Sequence, residues 1–525
     1  MSAPLDNAVA TAPRATRREW IGLAVLALPC LLYAMDLTVL NLAVPHLSAD
    51  LKPSSTELLW IIDIYGFVVA GALIPMGVYG DRIGRRKLLL IGAACFGLAS
   101  ILAAFAGSVA ELIAARAVLG LAAATLAPST LSLIRNMFLD DKQRTIAIGI
   151  WISSFSAGGA LGPVLGGVLL EYFWWGSVFL LNVPIMLLLL AVGPFLLSEY
   201  RDPQAGRPDL VSAALSLGTT LSIIYGIKRL AESGFSWQPV ATILAGIVIG
   251  WIFLRRQKHL ETPFIDLALF RRATFSAALG INIISVFAAF GTFLFVAQYL
   301  QLVIGLSPLE AGLWSAPSGV TFIIGSNLTP LILRYVSRAN VITGGLALTA
   351  ASFLVMAQVD GGAQDLGHVV ASYVLMSLGL AVIFTLTTDF VIGAAPPERA
   401  GLAAGMAETS SEFGGALGIA ILGSVVTAIY RPLISGSLPA DLPEAAALAA
   451  RDTLGGALGA AAELPAALGD SLVSASRAAY VDAFQVIALI CAVALAIAAV
   501  IAAWLLRRGD TPTETLTPSF DGETS

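Results

Sequence analysis

Gly77-Val78-Tyr79-Gly80-Asp81-Arg82-Ile83-Gly84-Arg85-Arg86-Lys87 is a short basic turn set between two long apolar stretches. Permissive glycines and one acid let two helices bend sharply against each other at a membrane surface. Asp81 is placed to pair with a basic group or with the positive N-terminus of a helix. Arg82, Arg85, Arg86 and Lys87 together mark this turn as the cytoplasmic side of a membrane protein.

The stretches on either side belong to a series. Of 525 residues, 58% are hydrophobic and 12% charged, against roughly 25% charged in a soluble domain. Mean hydropathy is +0.87, and abundant glycine and alanine suit helices packed closely in lipid. Segments of spanning length fall near 19–43, 57–79, 87–107, 110–134, 145–171, 176–197, 209–230, 238–254, 274–299, 308–334, 339–358, 368–393, 401–430 and 480–506, about 14 helices in all. With the N-terminus in the cytoplasm, most of the 29 basic residues fall in cytoplasmic loops, Arg207, Arg399 and Arg508 among them. Outside fall Lys52, Lys228, Arg229, Arg431, Arg451 and Arg477, and only Arg116 is left within a helix. Both ends are therefore expected in the cytoplasm of a multi-pass protein of the cell (inner or plasma) membrane.

The chain divides into a cytoplasmic tail (1–18), six helices (19–197), two additional helices (209–254), six further helices (274–506) and an acid-rich tail (507–525) expected to be disordered. Arg14, Arg17 and Arg18 lead into an apolar stretch with no small-residue cleavage site, which reads as a retained first helix. Within the last set, residues 432–479 form a long alanine-rich outer connection. Asp441, Pro443 and Glu444 read as a helix start, Gly455-Gly456 as a break, and Pro465 to Arg477 as a second helix. An external helical hairpin is expected, with a floppy linker as the alternative. Cys30, Cys95 and Cys491 show no metal or disulfide spacing, and His46, His259 and His368 do not read as ligands. No zinc, phosphate-loop or nucleophile-elbow motif occurs. No enzyme activity, metal, cofactor or nucleic-acid partner is expected.

Five acids lie inside the apolar segments: Asp36, Asp63, Asp389, Glu408 and Glu412. An ionised acid at bilayer depth costs about 2.5–3.5 kcal/mol on insertion scales, so such groups normally face a water-lined interior and handle protons, ions or charged solutes. Each has a purely structural alternative, an ion pair; Asp389, near a helix end, either joins the site or anchors a loop. Arg116 needs an acid or a carbonyl cluster, with Asp36 the partner of choice, or else snorkels to the nearby interface. Glu408 and Glu412 project from one helix face about 6 Å apart, where like-charge repulsion favours a proton on one of them. Trp60, Tyr65, Trp151, Phe155 and Phe390 are candidates to stack on a cation, or simply pack.

The fifth segment carries Gly149-x8-Gly158-x3-Gly162-Pro163-x2-Gly166. The last three glycines are four apart and make one smooth helix face for close packing. Pro163 leaves the carbonyl of Gly159 without its helical donor and bends the helix. This pattern resembles the antiporter signature of drug/proton exporters. The turn opened on, with Gly77, Asp81, Arg82, Gly84, Arg85 and Arg86, is similar to the signature loop of the major facilitator superfamily. Met35-Asp36-Leu37-Thr38-Val39-Leu40-Asn41 and Leu59-Trp60-Ile61-Ile62-Asp63-Ile64-Tyr65 resemble the first two helices of its 14-helix drug:proton antiporters (DHA2), in the group of QacA, SmvA and LfrA. Residues 175–184, 306–312 and the long outer loop point the same way.

The resemblance implies an all-α polytopic membrane protein of the major facilitator fold: two six-helix bundles plus two extra central helices. It implies a monomer that uses the proton gradient to export lipophilic cations such as quaternary ammonium biocides and dyes. Acids matching Asp36 and Glu412 are implicated in proton coupling, those matching Asp63 and Glu408 in recognising cationic drugs or in supporting coupling. Ala407 replaces a second adjacent glutamate of some relatives, and residues 317–325 lack an acid that some carry; dications are therefore expected to be handled less well than monovalent cations. Export of an endogenous metabolite or lipid is the nearer alternative, and proton-coupled uptake a more distant one.

Overall fold

The computed structural model describes residues 14–201, 209–233, 235–260, 263, 267, 269–362, 364–393, 400–439 and 441–507. The expected N-terminal tail up to residue 13, the tail from 508 onward, and Arg207, Arg399 and Arg508 lie outside them. The helices are α1 (Arg17–Leu51), α2 (Ser55–Ile83), α3 (Arg85–Ala104), α4 (Val109–Met137), α5 (Asp141–Tyr172), α6 (Ser177–Leu180), α7 (Asn182–Leu196), α8 (Leu210–Ser233) and α9 (Trp237–Gln257). They continue with α10 (Ala273–Gln298, extended by a π turn over Tyr299–Val303), α11 (Pro308–Ile332), α12 (Arg338–Met356), α13 (Asp365–Gly393), α14 (Ala400–Ser437), α15 (Glu444–Asp452), α16 (Leu454–Ala462) and α17 (Ala466–Arg507).

Thirteen spans among the described residues are long and apolar enough to cross a membrane. The fourteenth is α11, whose 25 residues reach about 37 Å at 1.5 Å per residue, more than a bilayer core. Its Ser, Thr, Asn and Pro residues dilute its hydropathy without shortening it. Starts follow local chemistry: Ser54 with Glu57 and Ser307 with Glu310 form reciprocal capping boxes that satisfy free amides at the heads of α2 and α11.

Helices α1 to α7 pack among themselves, as do α10 to α14 with α17. The two groups meet through α2 on α14 and α5 on α11. Helix α8 lies against both α2 and α14, on the seam between the halves, and α9 packs on α8. The glycines of α5 show why α1 lies so close. A Cβ at Gly158 would fall on the Leu31 carbonyl, one at Gly162 on the Thr38 hydroxyl, and one at Gly166 2.8 Å from Val39. Gly149 faces open space instead.

The molecule has a hairpin end, carrying α15 and α16, and a turn end, carrying Asp81. Cross-half packing is close toward the hairpin end. Gly167 approaches Pro308 and Leu309, Gly423 approaches Leu59, and Gln301 donates to the Leu42 carbonyl at 3.1 Å. The hairpin itself differs from the expectation. Its two arms are α15 and α16, they break at Thr453, and residues 466–477 begin the 42-residue helix α17. The reason is local: the Thr453 hydroxyl accepts from the amide of Gly456 at 2.9 Å and caps α16, so the glycine pair sits inside the first turn of that arm. Arg431 of α14 pairs with Asp452 at 2.8 Å, and the Ser55 hydroxyl donates to the Asp452 carbonyl, tying the hairpin to both halves.

Candidate functional site

Asp36 from α1 and Arg116 from α4 meet at 2.5 Å with 7% and 1% of their surface exposed. The pairing is the one expected, and the interface alternative for Arg116 does not hold. The guanidinium also donates to the carbonyls of Ile61 at 3.2 Å and Ile62 at 3.5 Å and lies 4.6 Å from the ring centre of Tyr65. Its fork of donors is thus spent on a carboxylate and on one turn of α2, the requirement for a guanidinium deep in a membrane helix.

Tyr65 leads onward. Its ring lies 6.2 Å from that of Tyr33, which packs edge-on against Phe155 at 5.8 Å; Phe155 in turn meets Trp151 at 4.8 Å. The Trp151 indole is fixed by donation to Thr130 at 3.0 Å. The Tyr33 hydroxyl donates across the molecule to Glu412 of α14. Acids of both halves, Asp36 and Glu412, are therefore linked through Arg116, Tyr65 and Tyr33. Glu408 lies one turn from Glu412 and is half-buried, with no hydrogen bond or ion pair to a described residue. Between them, Ser410 and Ser411 both receive the Asn282 amide, at 3.0 and 2.8 Å, which holds this stretch of α14 against α10.

Asp63 does not join that cluster. It faces α8, where Lys228 contacts it at 2.7 Å with both residues at least 98% buried. Neither carboxylate oxygen nor the ammonium has a further hydrogen-bond partner among the described residues. The same ammonium stands 4.4 Å from the ring centre of Trp60. Lys228 was expected in the outer loop; instead α8 continues to Ser233 and carries it inside. Arg116 is consequently not the only base within the helices.

Asp389 and Phe390 lie elsewhere. Asp389 pairs with Arg338 at 2.8 Å on an exposed surface of the turn end, and Arg338 also lies 5.7 Å from the Phe390 ring. This is the anchoring alternative. In the turn, Asp81 pairs with Arg85 at 2.6 Å. The head of α3 is held by Glu199, which accepts from the amides of Arg86 at 3.0 Å and Lys87 at 3.1 Å. Arg86 also donates to the carbonyls of Pro194 and Leu197, and Arg82 is exposed. Gly84 has φ +113, a left-handed conformation, and a Cβ there would strike the Glu199 carboxylate, so glycine is required. Gly77 approaches Pro128 of α4.

The family model of the Major Facilitator Superfamily matches residues 26–419. The chain belongs to that superfamily. It is 42% identical to the multidrug efflux pump LfrA of Mycolicibacterium smegmatis, over 96% of this chain and all of that one. It is 36% identical to the methyl viologen resistance protein SmvA of Salmonella typhimurium, over 88% and 93% of the two chains. The fold is similar to a bacterial homologue of the lysosomal transporter Spinster in an inward-facing conformation, with TM-score 0.63 and 19% identity over 94% and 98% of the chains.

As a major facilitator, the protein is a multi-pass membrane transporter and not an enzyme. Three of the residues that hold these contacts were not singled out from sequence: Tyr33 and Lys228 inside the helices and Glu199 at the turn end. Tyr33 sits three before Asp36, hence on the same helical face, a usable signal. Lys228 and Glu199 stand near helix ends, where a charge reads as solvated.

Proposed function

We propose that this transporter exports lipophilic cations in exchange for protons, as a 14-helix drug:proton antiporter. It is a drug-efflux protein of the major facilitator superfamily, alongside relatives named for multidrug efflux and for methyl viologen resistance. The observation that carries the finer reading is the linkage of Asp36 to Glu412 through Arg116, Tyr65 and Tyr33.

The chemistry follows from those contacts. Ionised Glu412 accepts a charge-assisted bond from Tyr33, and a proton on Glu412 weakens it. Tyr33 then shifts against Tyr65, the ring on which the Arg116 guanidinium rests, so a protonation event in one half is felt at Asp36 in the other. Asp36 and Glu412 are the proton carriers in this scheme. Glu408, with Trp151 and Phe155, offers a carboxylate and aromatic faces to a cation, where a desolvated cation–π contact is worth about 2 kcal/mol. Cation and protons compete for the same negative charge, which is sufficient for exchange. Each inward proton gains about 2.3 kcal/mol per 100 mV. One proton against one monovalent cation moves no net charge, so electrical drive requires at least two protons. No cofactor is needed beyond the gradient, and a monomer contains the whole path.

The turn end is assigned to the cytoplasm, with both termini, because the basic residues concentrate there. The close packing toward the hairpin end then corresponds to an inward-facing state. Proteoliposomes with an imposed pH gradient test the reading: ethidium is expected to move opposite to protons, and Asp36→Asn to abolish this. Ethidium moving together with protons would establish uptake and overturn it.

A further inference from the structure

We infer that Lys228 is a tethered competitor for the transported cation: its ammonium occupies the site made by Asp63 and Trp60 and is displaced when a lipophilic cation arrives. The inference rests on the cation-export reading above and adds a ligand that the protein itself supplies. A carboxylate beside the face of an indole is the chemistry that recognises an organic ammonium or a planar cation. Here that chemistry is engaged by a lysine from a different helix, at 2.7 Å from Asp63 and 4.4 Å from the Trp60 ring.

Three features favour displacement over a permanent clamp. Lys228 and Asp63 are both buried, yet beyond that carboxylate and the indole face no carbonyl or hydroxyl among the described residues accepts from the ammonium, so not all of its three donors are matched. An open cavity of about 310 Å³ lies alongside, lined by Trp60 and Ile64 of α2, Leu221, Ser222 and Tyr225 of α8, and Thr242 of α9, and it gives an apolar approach to the same indole. Lys228 lies near the hairpin-end terminus of α8, from which its four-carbon stem can carry the ammonium to the aqueous surface once evicted. The exchange conserves charge at Asp63: one cation enters as another leaves.

Displacement has a mechanical consequence. One turn before Lys228, Ile224 is buried among Phe67 of α2 and Ala416 and Ala420 of α14. Releasing the lysine loosens α8 from α2 at the place where α8 spans the seam. Arrival of the cation is thereby transmitted to the interface that must open.

Two readouts on the purified full-length transporter test this. Reductive methylation with formaldehyde, read by mass spectrometry, compares Lys228 with Lys52, Lys87, Lys142 and Lys258. Saturating ethidium is expected to raise modification of Lys228 several-fold and leave the other four unchanged; unchanged or reduced modification overturns the inference. This measurement needs no variant and is immune to misfolding. In equilibrium binding, Lys228→Met is expected to tighten ethidium about tenfold, and Asp63→Asn/Lys228→Met to lose that gain. Weaker binding by Lys228→Met, restored in the double variant, marks a structural clamp and overturns it. Proton release on adding ethidium is recorded in parallel. If the wild type binds but Lys228→Met does not tighten, the inference fails and the export reading stands. If neither binds ethidium nor releases protons, both fail.

Discussion

One turn of α2 is gripped by two cations, and they are gripped unequally. On one side Arg116 engages the Asp36 carboxylate, two carbonyls of that turn and the Tyr65 ring. On the other, Lys228 has only the Asp63 carboxylate and the face of Trp60. A buried guanidinium with an acceptor on each of its three nitrogens keeps its place through a change of charge on one of them, whereas an ammonium held by one carboxylate and a ring face can be exchanged for another cation. Both pairs are buried; the acceptors around each base separate a guanidinium held on several sides from a replaceable ammonium.

The sharpest way to break that comparison is to remove each base. Arg116→Met leaves Asp36 buried and unpaired and two carbonyls of α2 without their extra donor, a loss of about 3–5 kcal/mol. Lys228→Met is expected to cost visibly less, because Asp63 had less to lose. Thermal unfolding of the two variants in detergent should rank them in that order; equal melting temperatures would erase the distinction.

The pinned side depends on α5 pressing against α1, the helix that carries Asp36. Gly158→Ala puts a methyl on the Leu31 carbonyl, and overpacking of this kind costs about 1–3 kcal/mol. Gly149→Ala, in the same signature but facing open space, should stay within about 0.5 kcal/mol. Transport and melting of the pair separate a packing role from one shared by every glycine of the motif.

Tyr33→Phe keeps the ring and removes the hydroxyl from Glu412. A hydrogen bond to a charged group is worth about 1.5–3 kcal/mol, so cation-driven proton flux should fall about tenfold or more while the melting temperature moves little. An unchanged flux would leave Asp36 and Glu412 unlinked.

The smallest effect concerns how α8 is held at the turn end. Asp209 accepts from Arg256 of α9 at 3.0 and 3.1 Å and caps α8 through Ser212. Burial acts to raise its carboxyl, but the bonds from Arg256 and Ser212 and the guanidinium charge outweigh this and hold it at about 2, below its ordinary 3.8. A lowered folded-state value contributes stability above the ordinary value and loses it as pH falls through the folded one. Melting curves should therefore steepen slightly in their pH dependence between about 4 and 2, and Asp209→Asn should remove that slope.

Much of this was legible in the sequence. The helix map follows from apolar runs, the partner of Arg116 from the cost of a lone guanidinium, and the α1–α5 contact from glycines four apart. The failures share a cause. Lys228 stands where an apolar helix approaches its end, and counting basic residues assigns such a lysine to water; only the approach of α8 to α2 shows otherwise. Tyr33 looks like packing until α14 brings Glu412 to it. Asp389 was ambiguous because its partner, Arg338, is 51 residues away. The hairpin broke at Thr453 and not at the glycine pair, since a capping hydroxyl outranks local flexibility in deciding where a helix starts. Long-range pairing is what composition and spacing do not encode.

The central claim is that protons and cation compete for acids drawn from both halves. Ethidium added to the lightly buffered, detergent-solubilised transporter measures it directly through the protons released. The account predicts release from the wild type and its loss in both Asp36→Asn and Glu412→Gln, one acid from each half. Full release from Glu412→Gln would contradict it.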